Sequence, residues 1–133
     1  MSPRPERAVT DAELLVLEAL WATGGRATIR TLTDRLHPGG GASRYATVQK
    51  LLDRLEAKGC VARDRSVVPH VFTAAVERED LIDHGLRAVA ERYCSGALSP
   101  LLSHLLRSGD VRREELDALR RLVDDLDRER RER

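Results

Sequence analysis

The sequence predicts a mainly α-helical protein with one small β-hairpin. Two observations carry that expectation. Apolar residues recur at helical spacing along most of the chain, and a single β-branched-rich stretch, residues 60–73, interrupts them. The length of 133 residues fits one small domain with an appendage. With 41% hydrophobic and 34% charged residues, the composition is that of a folded chain rather than a disordered one. Trp21, Tyr45, Phe72 and Tyr93 are its aromatic residues, so Leu, Val and Ala must build the core.

The elements follow in order. Residues 1–9 read as a loose leader. Thr10 lies three residues before Glu13, the spacing of a capping box, and opens a helix whose apolar face holds Leu14, Leu17 and Trp21, with Val16 and Leu20 beside them. Gly24-Gly25 ends it. Thr28 can cap a second helix over residues 29–36, with Ile29, Leu32 and Leu36 at helical spacing. The run Pro38-Gly39-Gly40-Gly41 breaks it. Ser43 can cap a third helix running to Lys58, with Val48, Leu51, Leu52 and Leu55 as its buried stripe and Gly59 just past its end. Residues 60–65 and 68–73 form a candidate hairpin around a polar turn, with Pro69 expected at an edge or a strand start. Three further helices follow: residues 77–94, a leucine-rich one from Leu98 to the Ser108-Gly109 break, and a last one that Asp110 can cap. Residues 128–133 form a charged tail expected to fray.

Helix, helix, helix, hairpin is the order of a winged helix-turn-helix, placed over residues 8–76 and followed by a helical region over residues 77–127. In such a fold the third helix enters the major groove of DNA and the hairpin is the wing. Charge agrees in sign: residues 1–75 hold 11 Lys/Arg against 8 Asp/Glu, and residues 76–133 hold 12 against 14. A basic reading module ahead of an acidic assembly module suits that asymmetry, small as it is. On the third helix, Ser43, Arg44, Tyr45, Ala46, Thr47, Gln49, Lys50, Arg54 and Lys58 are left for surfaces other than the core, and Arg63 and Arg65 lie on the hairpin. Thr47 suits a thymine methyl or a polar base edge, Gln49 adenine, and Lys50 guanine or phosphate; Ala46 permits close approach. An ordinary solvated amphipathic helix would show much of the same spacing.

The run from Tyr45 to Gly59, with Thr47-Val48, Leu51-Leu52, Arg54-Leu55 and Lys58-Gly59, resembles the recognition-helix signature of the penicillinase repressor family (BlaI/MecI/CopY type). The run from Thr10 to Trp21 resembles that family's first helix, Phe72 to Val76 its wing exit, and Leu98 to Leu106 and Glu114 to Leu122 its C-terminal helices. The resemblance covers residues 9–127. It implies a repressor that binds a pseudo-palindromic operator in double-stranded DNA as a homodimer. It implies dimerisation through the C-terminal helices, whose apolar stripes by spacing hold Ile82, Leu86, Val89, Tyr93, Leu98, Leu101, Leu102, Leu105, Leu116, Leu119 and Val123; such stripes could also form an internal core, but with no other domain to cover them a dimer interface is expected. It also implies release by an inducing signal, in related systems proteolysis initiated by a membrane sensor protease. Val67-Val68 stand where the family carries a Gly-Arg pair at the wing tip. Ser103-His104 stand near the family's cleaved Asn-Phe bond, and no Cys-x-Cys tail of the copper-responsive branch is present.

Other functions find less support. Serine, histidine and cysteine show no catalytic spacing, and no phosphate-binding glycine motif occurs, so neither an enzyme nor a cofactor is expected. His37, His70, His84 and His104 are scattered and no metal site is expected. Cys60 with His70, or Cys94 alone, leaves a thiol- or metal-responsive regulator open, and the altered wing tip leaves open a winged-helix protein-interaction adaptor. No apolar run approaches the ~20 residues of a membrane span, and the first residues do not resemble a signal peptide, so a cytoplasmic protein without membrane insertion is expected.

Overall fold

A computed structural model describes residues 8–133, and most of the expected leader lies outside the described residues. The element order is α1 (Asp11–Ala22), β1 (Arg26–Thr28), α2 (Ile29–Leu36), α3 (Ala42–Ala57), β2 (Val61–Asp64), β3 (Val71–Ala74), α4 (Arg78–Cys94), α5 (Ser99–Arg107) and α6 (Arg113–Arg131).

Local chemistry sets the helix ends. Thr10 caps α1 in a complete capping box: the Glu13 amide donates to Thr10 Oγ1 at 3.2 Å, and the Thr10 amide donates to Glu13 Oε1 at 2.8 Å. Thr28 caps α2 by accepting from the Thr31 amide at 3.2 Å. Gly59 follows α3 with a φ of +77°, a conformation that favours glycine. It lets the Gly59 and Cys60 amides turn back to the Glu56 and Leu55 carbonyls. Ser43, in contrast, is not the cap of α3. The helix starts one residue before it, behind Gly41, whose carbonyl accepts from the amides of Arg44 and Tyr45. Asp110 likewise does not cap α6, which begins after Arg112 and continues through the expected charged tail to Arg131. Ion pairs from Arg128 to Asp125 and from Arg131 to Asp127 flank its last turns.

The wing holds one strand more than the sequence indicates. β3 is the central strand of an antiparallel sheet ordered β1-β3-β2. Ala27 of β1 and Arg63 of β2 both pair with Phe72. The hairpin strands are shorter than expected, because Cys60 still closes the end of α3 and because Asp64 turns to accept from Ser66 through both amide and hydroxyl. Pro69 therefore lies in the loop between β2 and β3 rather than in a strand.

Phe72 is fully buried among Val16, Leu17 and Leu20 of α1, Leu32 of α2, Val48, Leu52 and Leu55 of α3, and Val61 and Val76. This core belongs to the first of two compact units, which runs to Leu86; the second starts at Arg87. The division falls inside α4 because the approach to that helix and its first turns are fastened to the first unit. Trp21 Nε1 donates to the Val76 carbonyl at 3.0 Å, Arg78 stacks over the Trp21 ring, and Leu81 packs on the core. In the second unit Ala90 is buried, while Val89, Tyr93, Cys94, Pro100, Leu101, His104 and Leu105 line an apolar cavity of about 430 Å³.

Truncating Phe72 to Ala should destabilise the first unit by about 3–5 kcal/mol, through lost burial and the cavity left behind. Urea unfolding followed by the fluorescence of Trp21, the one tryptophan of the chain, measures this.

Candidate nucleic-acid interface

The candidate interface is built on α3. At 3.6 residues per turn, burying Val48, Leu52 and Leu55 turns Ser43, Thr47, Lys50 and Arg54 into a single stripe on the opposite side. All four are exposed, with Ala46 and Gln49 beside them and Arg44 at the exposed first turn. Arg44, Lys50 and Arg54 have no ion pair among the described residues. The Thr47 hydroxyl donates to the Ser43 carbonyl at 3.0 Å, so it presents outward a methyl group and an accepting oxygen.

The first turn of α3 has neither a side-chain cap nor an acidic residue. The Arg44 amide bonds back to the Gly41 carbonyl, so it is the Ala42 and Ser43 amides, at the positive end of the helix, that are open to an anion. Around it runs a depression lined by Arg30, Thr33, Gly40, Gly41, Ala42, Tyr45 and Pro69. A side chain at Gly40 would meet the His37 carbonyl and the Arg44 side chain at 2.9 Å, so the chain passes there only as glycine. Arg30 stacks over the half-buried Tyr45 ring, 5.6 Å from its centre. Spacing along the sequence did not single out Arg30. It is a surface position of α2, and only the crossing of α2 and α3 brings it to Tyr45.

Other cations expected at this surface have different occupations. Lys58 turns inward. Its Nζ lies 2.5 Å from Glu13 Oε1 and also donates to the Ala8 carbonyl at 3.0 Å. Glu13 is fully buried. Burial raises its pKa, but hydrogen bonds from Lys58 and from the Thr10 amide and hydroxyl, with the Lys58 charge, outweigh burial and hold it below its ordinary value. Arg63 is drawn onto Asp53 and over the Phe72 ring, and Arg65 reaches Glu56 at 3.2 Å while staying largely exposed. The placements of Lys58 and Arg63 share one reason: each lies within reach of a carboxylate on a neighbouring element and is mostly shielded from solvent. At the wing tip Val68 is 94% exposed.

Cys60 is buried, and desolvation raises its thiol pKa despite the nearby Lys58 charge, which leaves it a weak nucleophile. Among the described residues no three His, Cys, Asp or Glu side chains cluster to hold a metal ion. No described helix is long and apolar enough to cross a membrane.

In the residues expected at a dimer interface, apolar surface lies open. Ile82, Leu86, Val89, Leu98, Leu102, Leu105 and Leu119 are exposed, as are Tyr93 at 71% and Val123 at 63%; Leu101 and Leu116 are half-buried.

Two outcomes test the Glu13–Lys58 pair. Lys58→Met should cost about 3–5 kcal/mol, since it strands a buried carboxylate, and adding Glu13→Gln should recover much of the loss. The lowered pKa of Glu13 contributes stability above its unfolded value of about 4.3, lost as pH falls through the native value. Thermal unfolding should therefore show a steeper acid decline for wild type than for Glu13→Gln.

No significant match to a curated protein is found. A model of the penicillinase repressor family matches residues 9–125, most of the chain, and the protein therefore belongs to that family of DNA-binding transcriptional repressors.

Proposed function

We propose that the protein represses transcription as a homodimer that reads a pseudo-palindromic operator in double-stranded DNA, with α3 of each protomer in the major groove. One observation carries this reading: the exposed stripe Ser43, Thr47, Lys50 and Arg54, opposite the buried face of α3. It has the width of one helix face and mixes cations with short polar side chains, the chemistry that pairs phosphate neutralisation with contact to base edges.

Within it, Thr47 and Lys50 approach the bases, Gln49 reaches adenine from the flank, and Ala46 leaves room for them. Arg44 and Arg54 meet phosphates, and the uncapped first turn of α3, with Ser43 and Tyr45, receives another. Arg30 extends this backbone contact from α2. On the wing, exposed Arg65 is the cation placed to meet a phosphate. Lys58 and Arg63 belong to the frame.

Dimerisation through the second unit accounts for its open apolar side chains. Exposed leucines in such number are costly in water, and a second copy is the partner a family of operator-binding repressors requires. An inducing signal that breaks this dimer, proteolysis among them, would then release the operator by removing the linkage between two weakly binding modules.

Lys50→Ala should weaken binding to a duplex selected from a random pool by the wild-type protein about tenfold or more while leaving the dimer intact, as read by gel shift and sedimentation. Val123→Glu should give a monomer by sedimentation and lose a larger factor in affinity. Wild-type affinity should fall steeply with salt. Failure of wild type to select any duplex at low salt would sink the operator reading and favour an adaptor.

A further inference from the structure

Arg63 projects from β2 with only 14% of its side chain exposed. Its guanidinium carbon lies 4.6 Å from the centre of the Phe72 ring, the residue it faces across β2 and β3. Its Nη2 donates to Asp53, and its Nε is 3.9 Å from Glu56 Oε1. Nε is buried and has no hydrogen-bond partner. Asp53 and Glu56 stand three residues apart on α3, beside the exposed stripe. Glu56 also takes Arg65, just past the end of β2. A guanidinium held this way, between a core ring and two carboxylates of the neighbouring helix, cannot turn to a phosphate without abandoning all of these contacts.

We propose that Arg63 is a positioning residue of the DNA-reading surface. It fastens β2 against the second half of α3, and so sets how helix and wing present themselves together to a duplex, instead of neutralising a phosphate. Arg suits the task because its planar fork spans a carboxylate while its face stacks on a ring; Lys keeps the charge but loses both geometries. The idea rests on the operator reading for its functional consequence, but not for its structural one.

It also makes a prediction of sign. Asp53 places a negative charge beside the stripe, so electrostatics alone says that Asp53→Asn should tighten DNA binding. If Asp53 holds Arg63, the same change weakens it. Two duplexes serve as probes: one selected from a random pool by the wild-type protein, and an unrelated one of equal length. Arg63→Gln, Arg63→Lys and Asp53→Asn should each lower affinity for the selected duplex about fivefold to tenfold and leave the unrelated one within twofold. The double variant Arg63→Gln/Asp53→Asn should be no worse than either single. The slope of log affinity against log salt should not change. A slope shallower by about 0.9 per protomer in Arg63→Gln, the signature of one lost phosphate contact, overturns the proposal, as does rescue by Lys or tighter binding by Asp53→Asn.

A second arm needs no DNA. Amide exchange over β2 and β3 should accelerate severalfold in Asp53→Asn, a conservative change at an exposed position, while α1 stays protected. A wild type that selects no duplex refutes the operator reading; unaltered exchange in both Arg63→Gln and Asp53→Asn refutes the role of Arg63.

Discussion

The contact between Glu13 and Lys58 is the constraint on which the exposed face of α3 depends. A fully buried carboxylate is tolerable only when its charge is answered. Here the Thr10 amide and the Lys58 ammonium both converge on Glu13 Oε1. The same side chain thus starts α1 and receives the residue that ends α3, 45 positions further on. With the end of α3 tied to the start of α1, and with Val48, Leu52 and Leu55 packed in one core with Val16, Leu17 and Leu20, α3 has no freedom to rotate about its axis. One residue of rotation is about 100°, enough to carry Lys50 and Arg54 off the outward line. The chemistry of the outer face is therefore set by contacts made on the inner one.

Features encoded within a few residues of one another were legible in the sequence. The capping box at Thr10 and Glu13, the cap at Thr28, the buried stripe of α3 and the turn at Gly59 each follow from local spacing. Features decided between elements were not. β1 is three residues long and has no period to detect; it becomes a strand because Ala27 finds Phe72 on β3. Lys58 and Arg63 read as cations at the edge of a DNA-binding face, and nothing in their own segments announces Glu13, or the way β2 returns past Asp53. Ser43 is a good capping residue by type. The tight turn around Gly40 delivers the chain into helical geometry two residues sooner, however, and Gly41 takes the cap position.

The second unit shows the same division between pattern and partner. Leucines at helical spacing foretold α4, α5 and α6, but the same spacing serves an internal core or a surface for another copy. Along α6 the two sides differ in kind. Arg113 pairs with Asp117 and Arg131 with Asp127, while Leu119, Leu122, Val123 and Leu126 remain open to solvent. Surface pairs of that sort add little stability. Their value is in marking which side meets water with charge and, by contrast, which side meets it with apolar side chains.

Charge accounting connects the two units. Six cations lie between residues 44 and 65, and Lys58, Arg63 and Arg65 are paired with carboxylates of the same protomer. Among the described residues, Arg44, Lys50 and Arg54 remain unpaired on α3, a modest electrostatic footprint for a DNA-binding module. Charge used to orient a helix is charge withdrawn from non-specific attraction to the phosphate backbone. On the proposed reading, a module made this way relies on geometry more than on charge, and linking two such modules multiplies affinity without adding non-specific charge. On the proposed reading the small net charge of +1 is compatible with DNA recognition: the burden of affinity falls on the second unit, where the apolar surface is, and selectivity on α3.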